Sequence, residues 1–480
     1  MNIKMIFGIL GRALLIEAAL LLCPLLVGVV YGENSFADYL IPIAALLAIG
    51  IPLTLLHTRD SSIYAKEGFI TVALVWILMS LVGAVPFVLS GAIPNYADAL
   101  FETVSGFTTT GASILTDVEA LSQSLLFWRS FTHWIGGMGV LVFILAILPN
   151  YNSGNMHLFR AESPGPSVGK LVSKLKHTAR ILYGIYVAMT FMETILLLCG
   201  GMSFYNSLLH AFSTAGTGGF STRNASIGAF NSVYIEMVVA VFMFLFGINF
   251  NLFYLILIGN FKKAIKSEEL RVYFIIVAGA TLAIAVNILS MCANFGEAVR
   301  YSFFQVTSFS SSTGFSSADF GDWPGFSKAV LIGLMVVGAC GGSTGGGMKI
   351  SRVMILVKSS FANLRRLIHP RSVVSTKFEG ETLSKDVERN AQTYFILWVM
   401  IVIVCTLLLS IEQSDFLTCF TTTLSCIGNI GPVFKAGGAW SYLTFYSPYS
   451  KVMLSLVMLI GRLEIFPIIL MFAPRMWRRG

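Results

Sequence analysis

Apolar runs long enough to cross a lipid bilayer recur along the whole chain. A helix rises 1.5 Å per residue, so about 20 apolar residues span the hydrocarbon core. Ten such runs are present, at 5–31, 38–56, 69–93, 124–149, 181–201, 233–258, 272–293, 329–357, 393–411 and 444–474. Only 12% of the 480 residues are charged, against about a quarter in a soluble domain. The pattern predicts an all-α polytopic membrane protein. The first run lacks a small-residue cleavage site and is closely followed by a second, so it is expected to stay in place as a helix.

The net charge of +8 would suggest a nucleic-acid partner in a soluble protein, but here the basic residues sort by loop. Of 32 Lys and Arg, 23 fall in the two ends and in loops 57–67, 150–180, 258–271 and 358–389. Cytoplasmic loops carry such an excess. Both termini are therefore expected in the cytoplasm, with the chain crossing the membrane several times.

A repeat lies between the long runs. Four short segments, each about ten moderately apolar residues followed by Thr/Ser and glycine, read "ALFETVSGFTTTGAS", "LLHAFSTAGTGGFST", "FFQVTSFSSSTGFSS" and "FLTCFTTTLSCIGNIGP". Aligned on one glycine, they give Gly111, Gly219, Gly314 and Gly428. The two residues before it are Thr109–Thr110, Thr217–Gly218, Ser312–Thr313 and Cys426–Ile427; nine before it stand Glu102, His210, Gln305 and Cys419. These segments are too short to span, so they are expected to be re-entrant. The chain then divides into two N-terminal helices (1–60) and four helix–pore-loop–helix units: 61–165, 166–265, 266–380 and 381–480.

Non-helical backbone is tolerated at membrane depth only where protein buries it or it lines a wet path. Four half-helices entering from outside direct their negative C-terminal ends at a common centre. The Thr/Ser–Gly backbone beyond them can offer carbonyl oxygens in place of a cation's water shell. No carboxylate stands at these glycines or the three residues before them, which favours a weakly hydrated monovalent ion over a divalent one. The residues alone leave K⁺, Rb⁺ and Na⁺ open.

One long run is interrupted. In "GACGGSTGGGMKIS", six of the ten residues Gly338–Gly347 are glycine, and each costs a helix about 1 kcal/mol relative to alanine. A helix unwound at membrane depth is expected there.

Catalytic signatures are missing. The six histidines form no HExxH, the seven cysteines no CxxC, and "GSTGGGMKI" is not a GxxxxGK[ST] phosphate loop. An enzyme would need clustered catalytic groups at one depth, and a scaffold would have no use for four registered pore segments.

With these motifs the chain resembles the Trk/Ktr/HKT superfamily of cation transporters, most of all its bacterial potassium-uptake subunits, over its whole length. The resemblance implies a single-chain pseudo-tetramer like a potassium channel. It makes Gly111, Gly219, Gly314 and Gly428 the filter glycines, with K⁺ as transported ion and no organic cofactor in this chain. Sodium-preferring plant relatives have serine at the first position; Gly111 implies K⁺ selectivity. A Na⁺-selective, K⁺/Na⁺ or K⁺/H⁺ symporting relative is the alternative. The resemblance further makes Gly338, Gly341, Gly342, Ser343, Thr344, Gly345, Gly346 and Gly347 an intramembrane gating loop; Lys349, next to it, is expected to take part in gating or to brace the loop. Arg462 becomes an electrostatic barrier beneath the filter. The implied partners are a second copy of the chain, the bilayer, and a TrkA-like cytoplasmic ring binding NAD(H) or ATP; no nucleic acid is implied.

Other charges within the apolar runs have plainer expectations. Arg352 is expected to snorkel to the cytoplasmic interface, and Glu17 and Glu193 to brace helices. Arg462 and Glu464 stand at i and i+2, where side chains do not face each other.

Overall fold

A computed structural model of the chain describes residues 3–56, 65–139, 175–370, 375–412, 415–435, 438–440 and 442–474. Helices Ile3–Val30 and Phe36–Thr54 form an N-terminal antiparallel pair. They cross closely at Gly11 and Gly50, where an added Cβ on Gly11 would lie 2.9 Å from the Gly50 carbonyl oxygen. Small residues allow such approach in membranes, where van der Waals contact drives association.

Four units follow, each with an outer helix, a short pore helix and an inner helix. The outer helices are Ala65–Gly83 (continued by Val85–Leu89), Leu175–Cys199, Glu268–Asn287 and Lys385–Ser410. The pore helices are Tyr96–Phe107, Phe204–Gly216, Phe295–Ser310 and Phe416–Gly428. At 12 to 16 residues they reach about 18–24 Å, short of a crossing. Each starts at a side chain that caps a free N–H: Asn95, Ser203, Asn294 and Asp415 accept from Ala97, Asn206, Glu297 and Thr418. The all-α architecture of four helix–pore-loop–helix units after two N-terminal helices is thus present. Two small antiparallel ribbons, Lys377–Phe378 with Glu381–Thr382 and Val433–Lys435 with Gly438–Trp440, decorate it. The expected unit boundaries at 60/61 and 165/166 lie outside the described residues.

The second and fourth inner helices break where continuous runs were expected, and the third breaks at its glycine run as expected. Val233–Phe246 turns into Phe250–Leu257 through 92°. Gly325–Val337 stops at Gly338, and helix resumes at Ile350–Ile368. Pro448–Arg462 gives way to Phe466–Met471 across Glu464 and Ile465, both at positive φ. The first inner helix, Gln123–Gly137, also ends at glycine; residues 140–149 of the expected run lie outside the described residues. Among the described residues six helices are long and apolar enough to cross alone, and the bent pair taken as one span makes seven.

Candidate functional site

The four pore helices end in the same backbone figure. A residue in the left-handed region comes first: Thr109 (φ 57°), Thr217 (55°), Ser312 (60°) and Asn429 (52°). Two residues later stands a glycine at positive φ: Gly111 (79°), Gly219 (78°), Gly314 (82°) and Gly431 (98°). Between them, the N–H groups of Thr110, Gly218, Thr313 and Ile430 reach back to the carbonyls of Ser105, Ser213, Ser308 and Ser425, each at 2.9 Å.

This corrects the fourth register by three residues. Gly428 is the last residue of its pore helix, with Cys426 and Ile427 buried inside it. Gly431 takes the ring position. The legible signal was a serine six residues before each glycine: Ser105, Ser213, Ser308 and Ser425. Asparagine at the left-handed position replaces the hydroxyl residues of the other units, and its short amide tolerates that conformation.

The glycines close a ring. An added Cβ on Gly111 would strike the Gly218 carbonyl oxygen; on Gly219, that of Thr313; on Gly314, that of Ile430; on Gly431, that of Thr110. Each unit thus abuts the next, and the fourth abuts the first. Glycine is required twice over, by φ and by this close approach.

Polar side chains nine residues before each ring glycine tie down the chain beyond it. Glu102 accepts from Ser113 Oγ and Ile114 N–H, each at 3.0 Å, and pairs with Arg129 at 2.6 Å. His210 Nε2 pairs with Ser221 Oγ at 2.9 Å, and Gln305 donates to the Ala318 carbonyl at 3.4 Å. In the corrected register the fourth is Thr422, accepting from Tyr446, and not Cys419. Arg129, 4% exposed, also donates to the Ser221 carbonyl at 3.1 Å and lies 3.5 Å over the Phe220 ring. Beyond the ring opens a cavity of about 400 Å³ lined by Gly111, Gly219 and Gly314. At its margin Asn224 Nδ2 donates to Asp117 at 2.8 Å, which with the Glu119 N–H holds that carboxyl below its usual value.

On the other side lies the glycine loop, mostly buried. Gly346 N–H donates to Ser312 Oγ at 2.5 Å, and its Cα abuts the Gly428 carbonyl. An added Cβ on Gly345 would lie 2.6 Å from the Ser311 carbonyl. Thr344 donates to Phe246 O (3.2 Å), Cys340 N–H to Gly247 O (3.1 Å), and the Gly342 carbonyl accepts from Phe250 N–H (3.0 Å). The loop therefore sits against pore segments 3 and 4 and in the bend of the second inner helix.

Two basic residues hold this loop. Lys349, buried at φ 73°, donates to the Gly345 carbonyl within it. Arg462 donates to Thr344 O at 2.8 Å, to Gly137 O at 2.7 Å and to Gly136 O. Arg352 does not snorkel: it pairs with Glu464 and stacks 4.2 Å over Tyr394. Glu17 and Glu193 are fully buried. Among the described residues no group of three or more His, Cys, Asp or Glu is placed to hold a metal ion.

Comparison with known proteins agrees with this geometry. The TrkH family, described as cation transport protein, matches residues 36–479. The chain is 33% identical over 488 residues to the Trk system potassium uptake protein TrkH of Escherichia coli K12, covering 100% of both. It is 32% identical over 484 residues to TrkG of the same strain, covering 99% of both. The crystal structure of the potassium transporter TrkH from Vibrio parahaemolyticus superposes with a TM-score of 0.89 at 30% identity, covering all of both chains. The chain belongs to the TrkH family of cation transport proteins.

Proposed function

We propose that this chain takes up potassium ions across the bacterial inner membrane through the ring of four glycine segments. The observation that carries the reading is the closed cycle of glycine–carbonyl contacts from Gly111 to Gly431. The carbonyls of Thr109 and Thr110, Thr217 and Gly218, Ser312 and Thr313, and Asn429 and Ile430 would replace an ion's water shell. Four pore-helix C-termini add about half a negative charge each toward the same place. No carboxylate occupies the ring, so a monovalent ion is not held too tightly to leave. Glycine at 111 supports K⁺ over Na⁺, because a side chain there would displace the Gly218 carbonyl.

Gly338–Gly347 serves as the gate. It lies against the inner ends of segments 3 and 4, and Arg462 fixes it to the first and fourth inner helices. Its guanidinium also opposes an approaching cation. A unit charge about 6 Å from an ion at an effective dielectric of about 20 contributes roughly 3 kcal/mol of repulsion. The relatives are named as parts of a Trk system; in the assembly proposed here two copies of this chain work with a TrkA-like cytoplasmic subunit whose binding of NAD(H) or ATP moves the gate. Both termini face the cytoplasm, following the basic loops.

The test is ion flux into vesicles holding the purified chain, with K⁺, Rb⁺ and Na⁺ offered singly and in pairs. K⁺ and Rb⁺ entry with weak Na⁺ entry supports the reading. Equal K⁺ and Na⁺ entry, or K⁺ entry that requires Na⁺, would overturn it.

A further inference from the structure

Glu269 stands in the first turn of the third outer helix, where a carboxylate needs no special explanation. Its side chain, however, is 5% exposed and turned away from its own helix. Oε1 accepts the Gly341 N–H at 2.6 Å and the Ser351 N–H at 3.1 Å. Gly341 lies in the entering limb of the glycine loop, here its entering stem, and Ser351 in the first turn of the helix that leaves it. One oxygen thus joins two points ten residues apart and closes the base of the loop.

The clasp continues outward. The ribbon of residues 377–382 turns through Glu379 (φ 51°) and Gly380 (φ 80°), the two-residue turn of hairpins that needs positive φ twice. Glu379 Oε1 accepts from Ser267 Oγ at 2.7 Å and from the Glu269 N–H at 3.1 Å. The neighbouring Phe378 is buried against Ile355 of the helix that leaves the loop. The ribbon therefore grips both the helix that carries Glu269 and the helix that carries Ser351.

We propose that Glu269 is the clasp of the glycine loop, a positioning residue that holds its two stems together, and that ribbon 377–382 is the handle by which the clasp is released. Charge-assisted hydrogen bonds to a carboxylate are about twice as strong as neutral ones, so losing the carboxylate frees both stems at once. The inference rests on the reading of Gly338–Gly347 as the gate.

The test uses the full chain in K⁺-loaded vesicles without any partner. Four variants are compared with the unaltered chain: Glu269→Gln, Glu269→Ala, Glu379→Ala and deletion of Gly345–Gly347. Two quantities are read: K⁺ flux, and the rate at which a small thiol reagent modifies Cys340, followed by peptide-resolved mass spectrometry. Cys340 is fully buried in the entering stem, so its labelling reports stem opening.

Glu269→Ala is expected to raise flux roughly tenfold, or about 1.4 kcal/mol, and to speed Cys340 labelling, with K⁺/Na⁺ selectivity unchanged. Glu269→Gln, which keeps one acceptor oxygen, falls between; it carries the comparison if the alanine variant does not fold. Glu379→Ala acts in the same direction and adds little to Glu269→Ala, since contacting sites couple. Wild-type flux and labelling in the Glu269 variants, while the loop deletion raises flux, would overturn the clasp alone. Wild-type flux in the deletion as well would remove the gate reading. A flux rise accompanied by lost selectivity would show that Glu269 acts on the ring, and would also overturn the clasp.

Discussion

Arg462 donates to the carbonyl oxygen of Thr344 at 2.8 Å, and so ties the last inner helix to the glycine loop. The same guanidinium holds Gly137 O at 2.7 Å in the first inner helix. A residue expected to act on ions as a charge is also a three-way mechanical joint. Gly345 and Gly346, next to Thr344, approach the Ser311 and Gly428 carbonyls, so the glycine loop and pore segments 3 and 4 share a wall.

Arg462→Gln removes the charge and most donors with a smaller truncation than alanine; the combination with the loop deletion separates the two roles. Hydrogen bonds from a charged group contribute about 1.5–3 kcal/mol each. Partner-free K⁺ flux in vesicles is expected to rise about tenfold. In combination with deletion of Gly345–Gly347 the rise should be less than the product of the two, because the loop is Arg462's partner. Multiplicative effects would show that the charge acts without the joint.

The corrected register makes Gly428 and Gly431 a matched pair. An added Cβ on Gly428 meets the flexible tip of Ile430 at 2.9 Å, whereas on Gly431 it meets the Thr110 carbonyl at φ 98°. Gly431→Ala is expected to lower the K⁺/Na⁺ permeability ratio at least severalfold, and Gly428→Ala to leave it near wild type. Reversal potentials under bi-ionic conditions check this. The opposite order would restore Gly428 as the ring residue.

Asn429 links two units directly. Its Nδ2 donates to Thr110 Oγ1 at 2.9 Å and to Met458 O at 3.0 Å. Asn429→Gly keeps the left-handed backbone without strain and deletes the amide; Thr110→Val deletes the hydroxyl. Each is expected to weaken K⁺/Na⁺ discrimination, with a coupling energy of about 0.5–3 kcal/mol in the double-mutant cycle. Additive effects would mean that the contact carries no selectivity.

Glu102 and Arg129 form a buried pair at 2.6 Å. Removing one partner strands the other and costs about 3–5 kcal/mol. Glu102→Gln should lower the apparent melting temperature in detergent, and adding Arg129→Met should recover part of the loss. A double variant less stable than Glu102→Gln alone would show that Arg129 acts through Phe220 and Ser221 and not through Glu102.

Much of the fold was legible because its signals are local. Membrane-length apolar runs, capped short helices and the Thr/Ser–Gly endings lie in contiguous sequence, and so does the helix break at Gly338. The fourth ring position was obscured by a second glycine. Gly428 ends its pore helix and mimics the first three endings, while Asn429 hides the left-handed residue that marks the ring. The breaks after Phe246 and Arg462 carry no glycine run: one has Gly247 alone, and the other forces Glu464 and Ile465 into positive φ. The loop's supports were invisible for a different reason. Glu269 lies 72 residues from Gly341, and Arg462 lies 118 from Thr344. No periodicity encodes such pairings.

The central claim is that the ring of four glycine segments holds the transported ion. Rubidium or thallium scatters anomalously and substitutes for K⁺, so crystals of the chain grown in either ion test the claim directly. The expected result is an anomalous peak on the ring axis, within coordinating distance of the carbonyl oxygens of Thr110, Gly218, Thr313 and Ile430, that fades when Na⁺ replaces the heavier ion. Well-diffracting crystals with no peak at the ring, or with the dominant peak elsewhere in the chain, would contradict it.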